Sequence, residues 1–358
     1  MRFLGYVQAK TYICSFLMIF MGLQISDIVT KKSIELNELK GKTLCVDAFN
    51  IIYQFLTTIR QPDGTPLMDK KRRVTSHLSG LFYRNMALLN EGIKLIYVFD
   101  GKAPKLKKAT HEKRKQAKDI VKEKYEKAVK EEDVESMGKY SRSLVSLDED
   151  KIKESKELLK AMGIAVIQAP EEGEAMASYI CKKEKDVFAV ASQDYDSLVF
   201  EAPRLLQNLT LAKKRKTISG YVEVKPQIIE LKNVLKELGI NQQQLICIGI
   251  LAGTDYNPKG IHGIGQKKAL KIVKEHKTPE KIFEAENVKE KLDFDWKQVY
   301  DLIENPKVDK DYKIDFPKFD EDKIKEILMN HDFSENRIES QFEKLKERKD
   351  KQKQSTLF

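Results

Sequence analysis

The chain has 358 residues, 34% of them charged, and its 65 Lys and Arg against 55 Asp and Glu leave a formal net charge of +10. That length is ample for one large core or two small ones, and the basic surplus suits a polyanionic partner or serves solubility. The four cysteines, Cys14, Cys45, Cys181 and Cys247, stand alone, which speaks against a disulfide framework or a zinc site and for a reducing, intracellular setting.

Ile13 to Met21 is an apolar run of nine residues with one serine, preceded by Arg2 and Lys10. It is too short to span a bilayer and no small-residue cleavage site follows it, so no membrane association is expected. Residues 1–21 read as a non-native extension ahead of a true start at Met21; a genuine extension and a targeting segment are the alternatives. A short helix follows Gly22, then a turn at 40–42 and a buried-type strand, Thr43–Asp47, that ends in an aspartate. Asn50–Arg60 is helical, Gln61–Pro66 is a loop by its turn residues, and Thr75–Asn90 has helical apolar spacing. A second strand, Ile93–Phe99, runs into Asp100.

Lys102–Lys130 carries twelve Lys and Arg against four Asp and Glu, with Ala117, Val121, Tyr125 and Ala128 on one helical face. This spacing predicts a long basic helix with a narrow apolar stripe, of a kind that protrudes from a body or lies solvated on it. Leu144–Met162 is a further helix and Ile164–Gln168 a strand. Pro170 can occupy the first position of a helix running to about Lys185, where its missing N–H costs nothing. A third aspartate-tipped strand follows, Val187–Ala191, leading to Asp194 and Asp196.

Lys213–Lys216 falls between β-prone runs and reads as a hairpin tip. Asn241–Leu251 is a helix that leads into the loop holding Asp255. Gly263 and Gly265 then let the backbone turn tightly, with Lys267, Lys268 and Lys271 close behind, a pattern suited to duplex phosphates. His262 reads as a surface residue and Trp296 as helix packing. Lys344–Lys353 is too charged to bury and reads as a flexible tail.

Strands alternating with helices imply an α/β fold with a central, mostly parallel sheet flanked by helices, whose strand carboxyl ends line a crevice. Asp47, Asp100 and Asp194 then share one edge. Singly, each is a cap or turn former; together with Glu172, Glu174 and Asp196 they make a site for a hard divalent cation such as Mg²⁺.

The blocks VDAFNIIYQF, TSHLSGLFYR, YVFDGKAPKLK, APEEGEAMAS, SQDYDSLVF and LAGTDYNPKGIHGIGQKKAL, in this order, resemble the structure-specific flap endonucleases of the 5′-nuclease superfamily, and GTDYNPKG is similar to the archaeal branch. The resemblance covers Met21 to Phe358. It implies a single nuclease domain over 22–340, made of an N-terminal part (22–101), a helical arch (102–145), an internal part (146–250) and a helix–two-turn–helix element with C-terminal helices (251–340). A tail follows over 341–358.

It further implies that Asp47, Asp100, Glu172, Glu174, Asp194, Asp196 and Asp255 hold two Mg²⁺, for which Mn²⁺ can substitute. Lys107 and Arg114 become catalytic groups at the arch foot, and Tyr53 an aromatic stacked beside the scissile bond. Arg60 becomes part of the wedge between duplex arms, while Gly263 and Gly265 hold a K⁺ against duplex phosphate with Lys267 and Lys268 near by. The implied activity is 5′-flap endonuclease with 5′–3′ exonuclease action in Okazaki-fragment processing and repair, by a cytoplasmic monomer on branched DNA. Two departures stand out. Family members begin at Met-Gly, here Gly22, with the glycine near the site, so residues 1–21 are expected to crowd it. Gln354, Leu357 and Phe358 begin a sliding-clamp peptide that lacks its final aromatic pair, so weak clamp binding is expected. A related exonuclease, a junction resolvase and a non-catalytic DNA scaffold are the rival readings.

Overall fold

A computed structural model describes residues 23, 25–61, 64–102, 104, 106–209, 214–217 and 220–355, with side chains excepted at 108–117, 134–135, 214–217, 220–222, 349 and 351–355. The apolar run Ile13–Met21 and the inferred start at Met21 lie outside these residues, as do Leu357 and Phe358.

Seven strands form one sheet in the order β1-β9-β6-β5-β2-β3-β4. They are β1 (Lys32–Ser33), β2 (Thr43–Asp47), β3 (Lys94–Phe99), β4 (Ala165–Gln168), β5 (Val187–Ala191), β6 (Arg204–Gln207) and β9 (Gln227–Glu230). The five strands from β4 to β6 are parallel, and only β9 and the short β1 run against their neighbours. The inner strands read as continuous apolar runs because both faces are covered. Leu95, Tyr97 and Phe99 of β3 face one core, built with the helices Ala48–Thr58, Ser76–Asn90 and Glu149–Ala161. Ile96 and Val98 face another, under the helix Gly173–Lys183. A third core gathers the helices from Leu231 to Glu304. Trp296 packs there, stacked on Phe283 with ring centroids 4.3 Å apart.

From β2 the chain builds outward through β3 and β4, then crosses back to β5 and β6 on the other side of β2. The carboxyl ends of β2, β3 and β5 therefore flank the point where strand order reverses, which is where open α/β sheets bind ligands.

The sequence-based elements hold with some shifted limits. The segment after Gly22 forms a turn, β1 and a 3₁₀ turn at Leu36–Leu39, rather than an α-helix. The helix expected from Pro170 starts at Gly173, because 169–171 is bonded to the end of β3 and the residues after it: Ala169 N donates to Phe99 O at 2.8 Å, Gly101 N to Glu171 O at 2.7 Å and Lys102 N to Pro170 O at 3.2 Å. The helix expected from Leu144 starts at Glu149, capped by Asp148. The basic segment is a hairpin of two helices, Lys107–Lys130 and Val134–Ser143, joined at Glu131–Asp133. Its stripe residues Val121, Tyr125 and Ala128 are the covered ones between exposed lysines and glutamates. Residues 214–216 lie along β7 (Lys214–Thr217), paired with β8 (Gly220–Glu223), so this part of the basic cluster is strand and not a hairpin tip.

The expected flexible tail is helical. One helix runs from Glu335 to Ser355, tied down by buried Phe342 and Leu345 and by Arg348 Nη2 on Glu91 Oε2 at 3.0 Å. Lys, Glu and Gln are good helix formers, so charge alone does not unwind such a segment once one stripe is anchored. Among the described residues no helix is long and apolar enough to cross a membrane.

Candidate active site at the carboxyl edge of the sheet

Asp47 closes β2 and caps the next helix, accepting from Asn50 N at 3.2 Å. This satisfies an orphan helix N–H and fixes the carboxylate at the strand edge. Asp100, at the tip of the adjacent strand, accepts from Gly173 N at 2.5 Å. That contact requires glycine: a Cβ on Gly173 would stand 2.5 Å from the Asp100 carboxyl oxygen. Glu172 and Glu174 straddle this residue at the helix start, where negative charge is favoured. The loop after β5 supplies Asp194, whose Oδ2 accepts from Asn50 Nδ2 at 2.7 Å, and Asp196, whose Oδ1 accepts from Leu23 N at 2.6 Å. Asp255 arrives from the loop after the helix Gln242–Ala252, a loop pinned by Asn257 Nδ2 on Ile250 O at 2.6 Å.

All seven predicted acids thus come into one field. Asp47 lies in the field of Asp100 and Asp194, Asp100 in that of Glu172 and Asp255, and Glu174 in that of Asp196, Asp47 and Asp194. Burial first, then this mutual repulsion, pushes the Asp47 and Glu174 carboxyls well above the ordinary range, Asp100 to about 6 and Asp196 to about 8. Lys107 opposes it. Its Nζ stands 2.6 Å from Glu172 Oε2 and 3.4 Å from Asp255 Oδ2. Burial pulls the ammonium down, but Glu172 and Asp255 outweigh that and hold it charged, above its usual range.

Among the described residues no three acid, histidine or cysteine side chains stand close enough together to hold a metal ion in this arrangement. The donor set nonetheless fits one by chemistry. It is all oxygen, as a hard divalent cation prefers, and the acids repel one another in a way that a cation relieves.

The other predicted residues are more scattered. Tyr53 is half-buried on the helix that Asp47 caps. The Arg114 side chain lies outside the described ones, and Gln354 is known only as backbone near the end of the last helix. Gly263 has a φ of +77°, which favours glycine, while Gly265 is the extended N-cap of the helix Gln266–His276. Lys267, Lys268 and Lys271 are exposed on that helix, and His262 is exposed before it. The Arg60 guanidinium is turned toward the hairpin of helices Lys107–Lys130 and Val134–Ser143, bonded to Ser141.

Two residues escaped the sequence reading. Asn50 joins the loops of Asp47 and Asp194; its place three residues after a strand-terminal aspartate was the available signal. Tyr256 lies under the Lys107 ammonium, 5.1 Å from Nζ to ring centroid, a cation–π contact that strengthens when desolvated. Its only signal was adjacency to Asp255. Tyr256→Leu is expected to slow the single-turnover reaction at this site about tenfold by releasing Lys107, while Tyr256→Phe keeps the rate within about threefold. Equal rates for the two variants would sink this role.

Residues 20–120 match the XPG N-terminal domain and residues 163–255 the XPG I-region. The chain is 49% identical over 340 residues to flap endonuclease 1 of Thermococcus onnurineus, covering 94% of this chain and 98% of that protein. It is 48% identical over 332 residues to flap endonuclease 1 of Aeropyrum pernix, covering 91% and 94%. Among solved structures, flap endonuclease-1 from Methanococcus jannaschii superposes with a TM-score of 0.70 at 38% identity, over 90% of this chain and 98% of that one. The catalytic core of Rad2 in complex with DNA substrate shares the fold, with a TM-score of 0.67 at 24% identity over 90% and 99%.

Proposed function

Because the chain belongs to the flap endonuclease family of structure-specific DNA nucleases, we propose that it hydrolyses the phosphodiester at the single-strand/duplex junction of 5′-flap DNA with two divalent cations, Mg²⁺ first and Mn²⁺ in its stead. The observation that supports this most is the single electrostatic field of seven carboxylates with Lys107 inside it. Asp47, Asp100, Glu172, Glu174, Asp194, Asp196 and Asp255 are the residues that would hold the cations. The chemistry such a pair supplies when bound is activation of a water and stabilisation of the leaving 3′ oxygen.

The chain's own groups do the rest. Lys107 is a preorganised positive charge for the scissile phosphate, fixed before substrate arrives by Glu172, Asp255 and Tyr256. Arg114, on the same helix, is proposed to join it. Tyr53, on the helix beginning at the acid cluster, is proposed to stack on the unpaired nucleotide that leaves the duplex. Gly263, Gly265, Lys267 and Lys268 are proposed to grip duplex phosphate, with K⁺ as a partner there; such contacts read shape rather than sequence.

The domain division also belongs to this reading: arch over 102–145, nuclease parts on either side, helix–two-turn–helix from 251. So do monomeric action in the cytoplasm and a sliding-clamp peptide at Gln354, Leu357 and Phe358. One assay tests the core of it. Flap, gapped, blunt and four-way DNA are incubated with Mg²⁺ or with chelator. Cleavage of the flap substrate, dependent on Mg²⁺, is expected; preferred cutting of blunt ends or four-way junctions would move the reading to an exonuclease or a resolvase.

A further inference from the structure

The arch hairpin has two feet. One is Lys107, held among the acids. The other is the helix Val134–Ser143, and it rests on the loop that follows the helix Ala48–Thr58. In that loop Gln61 N donates to Thr65 O and Gly64 N to Gln61 O, both at 2.9 Å.

The contact is glycine on glycine. Gly64 and Gly138 are both buried, and a Cβ on Gly64 would stand 2.6 Å from the Gly138 Cα, closer than real atoms approach. Gly64 also has a φ of +84°, which side-chain-bearing residues rarely adopt. Arg60 closes the joint. Its Nη1 donates to Gly64 O and to Ser141 Oγ, each at 2.8 Å, and Nη2 donates to Ser141 O at 3.2 Å. Ser141 Oγ in turn lies 3.0 Å from Gly64 O and 3.2 Å from Gly138 O. Burial, and then Arg142, pulls the Arg60 guanidinium below its usual range.

A fork engaged in this way, with Nε buried and unpaired within the described protein, is poorly placed to meet a phosphate. We propose that Arg60, Gly64, Gly138 and Ser141 form a latch fixing the far foot of the arch, and that Arg60 is a positioning residue for the reaction rather than a duplex wedge. The helix leading into the latch carries Tyr53 and starts at Asp47. Both feet of the arch are therefore referenced to the acid site, and the latch sets where Lys107 and its helix stand over it. Catalysis is sensitive to such placement, since a shift of about 1 Å can cost about a hundredfold.

The inference rests on the flap-cleavage reading for its substrate, and its test separates the two. Arg60→Gln, Ser141→Val and the double variant of the full chain are compared with the parent in three measurements. These are single-turnover cleavage of a 5′-flap duplex in Mg²⁺, affinity for that duplex in Ca²⁺, and amide hydrogen exchange over 134–143. Each single variant is expected to cleave about tenfold more slowly, and the double no more than about twofold slower again, because groups acting through one joint are non-additive. Affinity stays within about twofold and exchange over 134–143 quickens in all three. Weakened affinity for Arg60→Gln with Ser141→Val matching the parent in rate and exchange would return Arg60 to the wedge and overturn the latch. Unchanged exchange, or fully additive rate losses, would overturn it too. A parent that fails to cut flap DNA would remove the functional reading, while the exchange comparison would still decide whether the latch exists.

Discussion

Lys107→Ala is expected to slow cleavage of a 5′-flap duplex by about a hundred- to a thousandfold at saturating protein, the usual cost of losing one preorganised charge from a reacting centre. Asp194→Asn is expected to slow it at least as much in Mg²⁺, through lost cation binding. Both should leave junction affinity within a few-fold, because in the proposed function the duplex is gripped elsewhere, through lysines such as the exposed Lys267 and Lys268. The two variants part company without DNA. Lys107 neutralises Glu172 and Asp255 at 2.6 and 3.4 Å, so its removal leaves two partly buried like charges and lowers the melting temperature of the metal-free protein. Asp194→Asn removes a repulsive charge and does not. The measurements are single-turnover rates, filter binding with Ca²⁺ and thermal melts in chelator. Normal cutting by Asp194→Asn in Mg²⁺ would end the assignment of the acids as cation ligands, and normal cutting by Lys107→Ala would remove Lys107 from the phosphate.

What could be read in the chain, and what could not, divides by the range of the interaction. The sheet edge was legible because β2, β3 and β5 are short apolar runs with turn signals and an acid just beyond each. Doubly covered parallel strands leave that mark. Glu172 and Glu174 were legible as acids at a helix start, although the start itself lay three residues beyond Pro170, because Gly101 and Lys102 bond to Glu171 and Pro170 and keep them out of the helix. Asn50, Tyr256 and the Arg60 latch were not legible. Each is a contact between elements far apart in sequence, and nothing local distinguishes an arginine that faces DNA from one that fastens Ser141. The tail failed for a different reason. Its charge masks an apolar stripe, Phe342 and Leu345, that anchors the helix on the Ser76–Asn90 side.

In chelator the melting temperature should fall as pH rises from about 5 to about 8.5, the reverse of ordinary acid unfolding. Asp196 is raised to about 8 and Asp100 to about 6 by burial and by neighbouring carboxylates, whereas an unfolded aspartate titrates near about 3.9. Between those values the folded protein keeps protons that the unfolded chain has released. The unfolded state then binds fewer protons, and stability drops with rising pH. Saturating Mg²⁺ should raise the melting temperature most at the alkaline end, because binding to the folded state alone stabilises it and deprotonated acids bind best. Asp196→Asn tests the cause. Its amide oxygen can still accept from Leu23 N, which lies 2.6 Å from Asp196 Oδ1, but the charge is gone. At pH 8 in chelator the variant should melt about 1.5 °C or more above the parent, roughly 1 kcal/mol or more for a chain of this size, while cleaving flap DNA at least about a hundredfold more slowly. Stability sacrificed for function is expected of a site that gathers like charges for a cation. A melting temperature in chelator that climbs with pH, with no gain from Asp196→Asn, would mean that the acids do not crowd one another, and the shared field on which the nuclease site depends would be lost.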